Sequence, residues 1–177
     1  MEYLDKMKGA VDSIRNQLEF TADYEKMGLN EPAWVDAEDA FRRGVSGLGF
    51  EGVTVICKLG GLEVFADPML DKVFHNLLDN SLRHGEKVSE IKVHFKESKS
   101  GLSIIYEDNG IGIPDKEKKL IFHPGRGKHT GYGLFMVNSI LGITGLSAEE
   151  TGTPGEGARF EVHVPPGKYK VAAEDKS

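Results

Sequence analysis

Eleven of the chain's 22 glycines fall between Gly110 and Gly157, and this crowding restricts the fold more than any other feature. A helical bundle has no place for such a stretch, because each glycine in a helix interior costs about 1 kcal/mol against alanine. The stretch has no G-X-Y period and no Ser/Pro bias, which excludes collagen-like and low-complexity readings. What remains is a globular protein with one long, permissive loop region. With 177 residues, 39% hydrophobic and 28% charged, the chain suffices for one domain with a sizeable core.

Charge and cysteine content narrow the class further. The net charge is −6, and the one basic cluster, Lys116, Lys118 and Lys119, lies beside acidic neighbours, so no nucleic-acid footprint is expected. The single cysteine, Cys57, has no internal disulfide partner and no second thiol at metal-ligand spacing, which fits a reducing, cytoplasmic setting. The uncharged stretch 130–148 is interrupted by Gly131, Gly133, Asn138, Ser139, Gly142 and Gly145, so no membrane contact is expected.

Periodicity organises the chain. Leu4, Met7, Val11, Ile14 and Leu18 recur at spacings of three and four, a narrow seam that suits a partner helix in a dimer or hairpin arm better than packing on the same domain. This helix is expected to reach about Met27 and stop at Gly28 and Pro32. The expected boundaries are a helical arm over 1–28, a domain over 29–170 and a frayed tail over 171–177. A short helix is expected over 37–46. Strands over 53–59 and 62–66 flank Gly60-Gly61, which reads as a hairpin turn. Asp67 and Pro68 read as N-cap and first residue of a helix ending at His84. Strands are expected over 90–95, 102–106, 146–150 and 159–164, with a helix over 134–141.

Three segments suggest chemistry. On the helix ending at His84, a step of about 100° per residue puts Lys72, Asn76, Asp79, Asn80, Arg83 and His84 on one arc, opposite Val73, Phe74, Leu77, Leu78 and Leu82. Asparagine amides suit Mg²⁺, which keeps waters and takes substrate phosphates, and Arg83 would neutralise phosphate charge; a solvated polar face is the alternative. Next, Asp108 to Pro114 reads D-N-G-I-G-I-P directly after a strand. Its carboxylate could accept from an exocyclic amine, or the string could be a turn. Finally, the segment 121–134 leads through Gly125, Gly127, Gly131 and Gly133 into a helix, as a closing lid over phosphates or as a structural loop.

Taken together, these strings resemble the ATP-binding domain shared by sensor histidine kinases, DNA gyrase-type topoisomerases and heat-shock chaperone ATPases, the Bergerat fold. H-N-L-L-D-N-S-L-R-H (75–84) resembles the kinase N box, D-N-G-I-G-I-P the G1 box, I-F-H-P-G (121–125) the F box and G-Y-G-L (131–134) the G2 box. The resemblance covers about residues 62–164. It implies an α/β two-layer sandwich, a mixed and mostly antiparallel sheet covered on one face by helices that hold ATP and Mg²⁺. Asn80 would hold Mg²⁺ with Asn76 in support, Arg83 would contact phosphate, and His84 would lie beside the nucleotide. Asp108 would read adenine; Gly110, Gly112, Ile113, Thr130, Gly131, Tyr132 and Gly133 would line the pocket; Phe122 would anchor the lid and Leu134 start the helix behind it.

Two departures qualify the resemblance. Where the family has G-T-x-F, this chain has Gly157-Ala158-Arg159-Phe160, so the threonine hydroxyl is missing. No histidine precedes His75, so the phosphoacceptor motif is absent and the first helix resembles the second helix of a dimerisation hairpin. The function implied is a Mg-ATP-binding histidine kinase domain whose phosphoacceptor helix lies elsewhere, inactive alone, with a response-regulator receiver domain as partner and pairing of two copies through the first helix. The alternatives are a serine kinase of the anti-sigma-factor type and a silent nucleotide-binding scaffold.

Overall fold

The computed structural model describes residues 2–125 and 131–172. Helix α1 (Glu2–Lys26) opens the chain. Its seam residues Leu4, Met7, Val11, Ile14 and Leu18 are each at least 54% exposed, whereas its last turns are tied to the body. The Phe20 ring stacks on Tyr132 at 4.4 Å, Asp23 pairs with Lys72 at 2.9 Å, and Gly28 N–H donates to Asp67 Oδ2 at 3.1 Å.

Strand β1 (Ala33–Asp36) leads into α2 (Ala37–Val45), capped where Asp36 accepts from Asp39 N–H. β2 (Thr54–Lys58) and β3 (Leu62–Ala66) follow, then α3 (Leu70–His84), β4 (Glu90–Ser98), β5 (Gly101–Asp108), α4 (Gly133–Ile143), β6 (Ser147–Glu150), β7 (Arg159–Val164) and β8 (Tyr169–Val171). The main sheet has five strands in the order β2-β4-β5-β7-β6. Its β2–β4 pair is parallel and its other pairs antiparallel. A second, antiparallel sheet has three strands in the order β1-β3-β8.

The fold is thus the expected α/β arrangement, a mixed and mostly antiparallel sheet covered by helices, with a helical segment at the N-terminus. On β5, Leu102, Ile104, Tyr106 and Asp108 alternate onto the buried face, opposite Val162 and Phe160 of β7. Over them lie Val73, Phe74, Leu77 and Leu78 of α3 and Met136, Val137, Ile140 and Leu141 of α4. Removing each such side chain from water contributes about 1.5–3 kcal/mol. α3 buries Leu70, Val73, Phe74, Leu77, Leu78 and Ser81, a stripe at helical spacing that leaves the polar arc facing away from the core.

Four expectations need correction. Gly60-Gly61 makes no hairpin: Leu62 N–H donates to Leu59 O at 3.1 Å, but the turn passes the chain from one sheet to the other, since β2 pairs with β4 and β3 with β1 and β8. β1 was absent from the expected elements because only Val35 of its four residues is buried, too short an alternation to register. α3 starts at Leu70 rather than Pro68, because a turn closed by Leu70 N–H on Asp67 O at 3.0 Å precedes it; the Asp67 carboxylate does accept from Met69 N–H at 2.8 Å, as expected of a cap, and also from Gly28 N–H across the chain. Finally, Val171 pairs with Leu62, and Ala172 N–H donates to Gly61 O at 2.8 Å, so residues 171 and 172 are bound into a sheet.

Candidate functional site

The end of β5 carries Asp108, buried and densely bonded. Its Oδ1 accepts from Gly110 N–H at 2.9 Å and from Ala158 N–H at 3.0 Å, and its Oδ2 accepts from the Ser81 hydroxyl at 2.5 Å. Tyr106 OH in turn donates to Ser81 Oγ at 3.0 Å. Burial pushes the Tyr106 phenol well up from its ordinary value, because the anion would be desolvated there. β7 must approach closely for this cradle to form. Gly157 has φ +123°, and a Cβ there would lie 1.9 Å from Asp108 O, so only glycine fits.

The G1 string is pinned behind that carboxylate. Asn109 Oδ1 accepts from Ser89 and Glu90 N–H at 2.9 and 3.0 Å. Ile111 N–H donates to Gly85 O at 3.2 Å, and its own carbonyl accepts from Gly155 N–H at 2.8 Å. Gly112 is half-buried against the segment 153–157, and Ile113 packs on the core. Phe122 meets Phe160 edge to face at 6.3 Å, anchoring the F string on the sheet.

The polar arc of α3 forms the other end. Asn76 Nδ2 donates to Lys72 O at 2.7 Å, and a Cβ on Gly133 would lie 2.9 Å from Asn76 Oδ1. Glycine therefore lets the first residue of α4 meet this amide, and no side chain caps α4 there. Asn80 Nδ2 is buried without a hydrogen-bond partner. Arg83 is exposed and pairs with Asp79 at 2.6 Å; His84 ends the helix. Gly131, Tyr132 and Leu134 are half-buried at the start of α4. Thr130 lies outside the described residues.

α3 is therefore a common wall. Ser81 touches Asp108 and Asn76 faces Gly133, five residues apart, or about 7.5 Å along the axis. The unpartnered Asn80 amide nitrogen sits between them. Two open clefts border these residues: one of about 930 Å³ is lined by Lys116, Phe122, His123, Asn138 and Ser139, the other, about 470 Å³, by Glu90, Lys92, Asp108, Ala158 and Arg159.

These residues fit Mg²⁺ and a phosphorylated ligand. Among the described residues no group of three or more His, Cys, Asp or Glu could hold a metal, so a cation would need ligand oxygens besides the Oδ1 atoms of Asn80 and Asn76, the usual condition of Mg²⁺ in phosphate chemistry, while the unpartnered Asn80 Nδ2 suits a ligand oxygen. The uncapped N-terminus of α4 suits an anion. Among the described residues no helix is long and apolar enough to cross a membrane.

Sequence reasoning missed Ser81. The available signal was a hydroxyl on the buried stripe, three residues past Leu78, where a polar group needs a partner. It also missed the clamp at the base of the F string, where Lys118 Nζ pairs with buried Glu150 at 3.2 Å and donates to Gly152 O.

The chain belongs to the histidine kinase-, DNA gyrase B-, and HSP90-like ATPases, whose family model matches residues 65–168. Within that family it is a catalytic domain related to sensor histidine kinases. The alginate biosynthesis sensor protein KinB of Pseudomonas aeruginosa is 35% identical over 101 residues, 54% of this chain and 17% of KinB. This chain thus spans under a fifth of that relative. The fold is shared with the ATP binding domain of PrrB from Mycobacterium tuberculosis, at 22% identity and TM-score 0.64, over 77% of this chain and 98% of that one. It is also shared with full-length ShkA in complex with AMPPNP, at 18% identity and TM-score 0.71, over 97% of this chain and 39% of that one.

Proposed function

We propose that this chain binds Mg-ATP and transfers its γ-phosphoryl group to a histidine on a partner segment, as the catalytic domain of a two-component sensor kinase. The observation that carries the proposal is α3 itself, which touches Asp108 at one position and faces Gly133 at another, with an unsatisfied amide NH₂ donor between them for a ligand oxygen. Asp108 accepts the adenine amine, with Gly110, Gly112 and Ile113 against the base. Asn80, supported by Asn76, holds the cation; Arg83, freed from Asp79, and the α4 amides after Gly131 hold phosphate oxygens. Bound Mg²⁺ supplies charge neutralisation. The chain's contribution is positioning, the main source of catalysis in phosphoryl transfer. An imidazole nitrogen of the partner forms the new bond to the γ-phosphorus, and the bond to the ADP oxygen breaks. Boundaries follow the same reading: 1–28 an arm for a helical partner, from 29 onward the ATP-binding unit. A receiver domain takes the phosphoryl group next, and the setting is the cytoplasm.

The test is calorimetry with Mg-ATP, followed by incubation with labelled ATP and a histidine-bearing dimerisation helix. Mg²⁺-dependent binding and an acid-labile, base-stable label on the helix are expected. Absence of nucleotide binding would sink the proposal, and an acid-stable label on a partner protein would point to hydroxyl phosphorylation.

A further inference from the structure

We propose that Ser81 is the positioning residue for Asp108, delivering from α3 the hydroxyl this chain lacks at Ala158, so that the site selects a 6-amino over a 6-oxo purine nucleotide. This rests on the nucleotide reading above. An ionised carboxylate offers about four acceptor sites and no donor. Three are filled by protein: Gly110 N–H and Ala158 N–H on Oδ1, and Ser81 Oγ–H on Oδ2. One site on Oδ2 is left for a ligand.

The direction of the chain of bonds is fixed. Tyr106 is 1% exposed, and its hydroxyl donates to Ser81 Oγ at 3.0 Å. Ser81, already accepting, directs its own single proton at Asp108 rather than rotating elsewhere. Two buried hydroxyls could have satisfied one another; here the pair terminates on the carboxylate. The remaining Oδ2 site is therefore held in a fixed direction as an acceptor. An amine N–H at that point is matched, whereas a 6-oxo group would set oxygen against oxygen, leaving both unpaired. Ala158 keeps its backbone N–H on Oδ1 but brings no hydroxyl, and Ser81 approaches the same carboxylate from the opposite element.

Titrating the whole chain with Mg-ATP and Mg-ITP tests this. Ser81→Ala is expected to weaken ATP binding about tenfold and to leave ITP nearly unchanged, narrowing the ratio. Ser81→Thr should retain the ratio, and Ala158→Thr placed on Ser81→Ala should recover most of the loss. Tyr106→Phe, which keeps the serine, should narrow the ratio by a smaller factor. Equal losses for ATP and ITP in Ser81→Ala, or an unchanged ratio in both Ser81→Ala and Tyr106→Phe, would overturn the assignment and leave Ser81 a structural residue. Failure of the unaltered chain to bind either nucleotide would instead overturn the nucleotide reading.

Discussion

Asp108 and Asn80 share one helix wall, yet Asp108 receives three protein hydrogen bonds while the Asn80 amide nitrogen is buried with none. Around Asp108, backbone from two strand ends and a two-hydroxyl chain are locked together on folding. Around Asn80 the groups are spare: an amide, a guanidinium parked on Asp79, and helix amides with no cap. One end has its ordering cost met within the fold; the other leaves polar groups for a ligand to satisfy. Preorganisation at the first favours a fixed base, and adaptability at the second suits a phosphate chain with its cation.

Substitution at the two ends should therefore separate stability from binding. Asp108→Asn has the largest expected effect, because one amide oxygen cannot accept all three donors and an NH₂ would face one of them. We expect about 100-fold weaker Mg-ATP binding and about 2–4 kcal/mol lost stability, read by calorimetry and urea unfolding. Asn80→Ala should abolish the Mg²⁺-dependent part of the affinity, about tenfold or more, while stability stays within about 1 kcal/mol, because the buried amide nitrogen it removes had no partner. If Asn80→Ala destabilised the chain as much as Asp108→Asn, the contrast between the ends would collapse.

Much of this was legible in the sequence, for identifiable reasons. The arc of Asn76, Asn80 and Arg83 on α3 and the position of Asp108 at a strand end follow from helical and strand periods, which burial enforces along whole elements. The errors fall where a tertiary contact overrides a local signal. Gly60-Gly61 has hairpin chemistry, but the pairing partner of β2 is distant β4, which no local pattern announces. Asp67 has cap chemistry and uses one oxygen on Met69 N–H, but its second oxygen is engaged by Gly28, a contact no local pattern announces. Ser81 could be heard only as a discord in an apolar stripe, and its purpose depends on a hydroxyl 25 residues further along the chain. The α1 seam was legible as a stripe set apart from the domain core, and its residues are exposed, whereas the stacking of Phe20 on Tyr132 was not legible, since aromatic pairing across a fold has no sequence period.

A smaller effect is expected at Arg83. Its pair with Asp79 lies at the surface, with the arginine side chain 46% exposed, so Arg83→Ala should change stability by about 0.5 kcal/mol or less. Its loss should weaken Mg-ATP binding a few-fold, less in high salt because screening already reduces the contact. A salt-independent loss would place Arg83 away from phosphate and make the second end less adaptable than its exposed groups suggest.

The smallest effect at neutral pH, and the one most specific to the locked end, concerns Tyr106. Its phenol is raised by burial in the folded chain, while in the unfolded chain it titrates near its ordinary value of about 10. The folded state thus holds this proton more tightly, so the stabilisation is complete below about pH 10 and is lost as the pH rises beyond it. Tyr106→Phe carries no such proton. Urea unfolding of both proteins between pH 7 and 11 should show a stability difference that is constant up to about pH 9.5 and then shifts in favour of the variant. Lysines titrating in that range are common to both chains and cancel. Parallel curves throughout would mean that the phenol ionises without cost, and Tyr106 would then not be enclosed as tightly as the locked end requires.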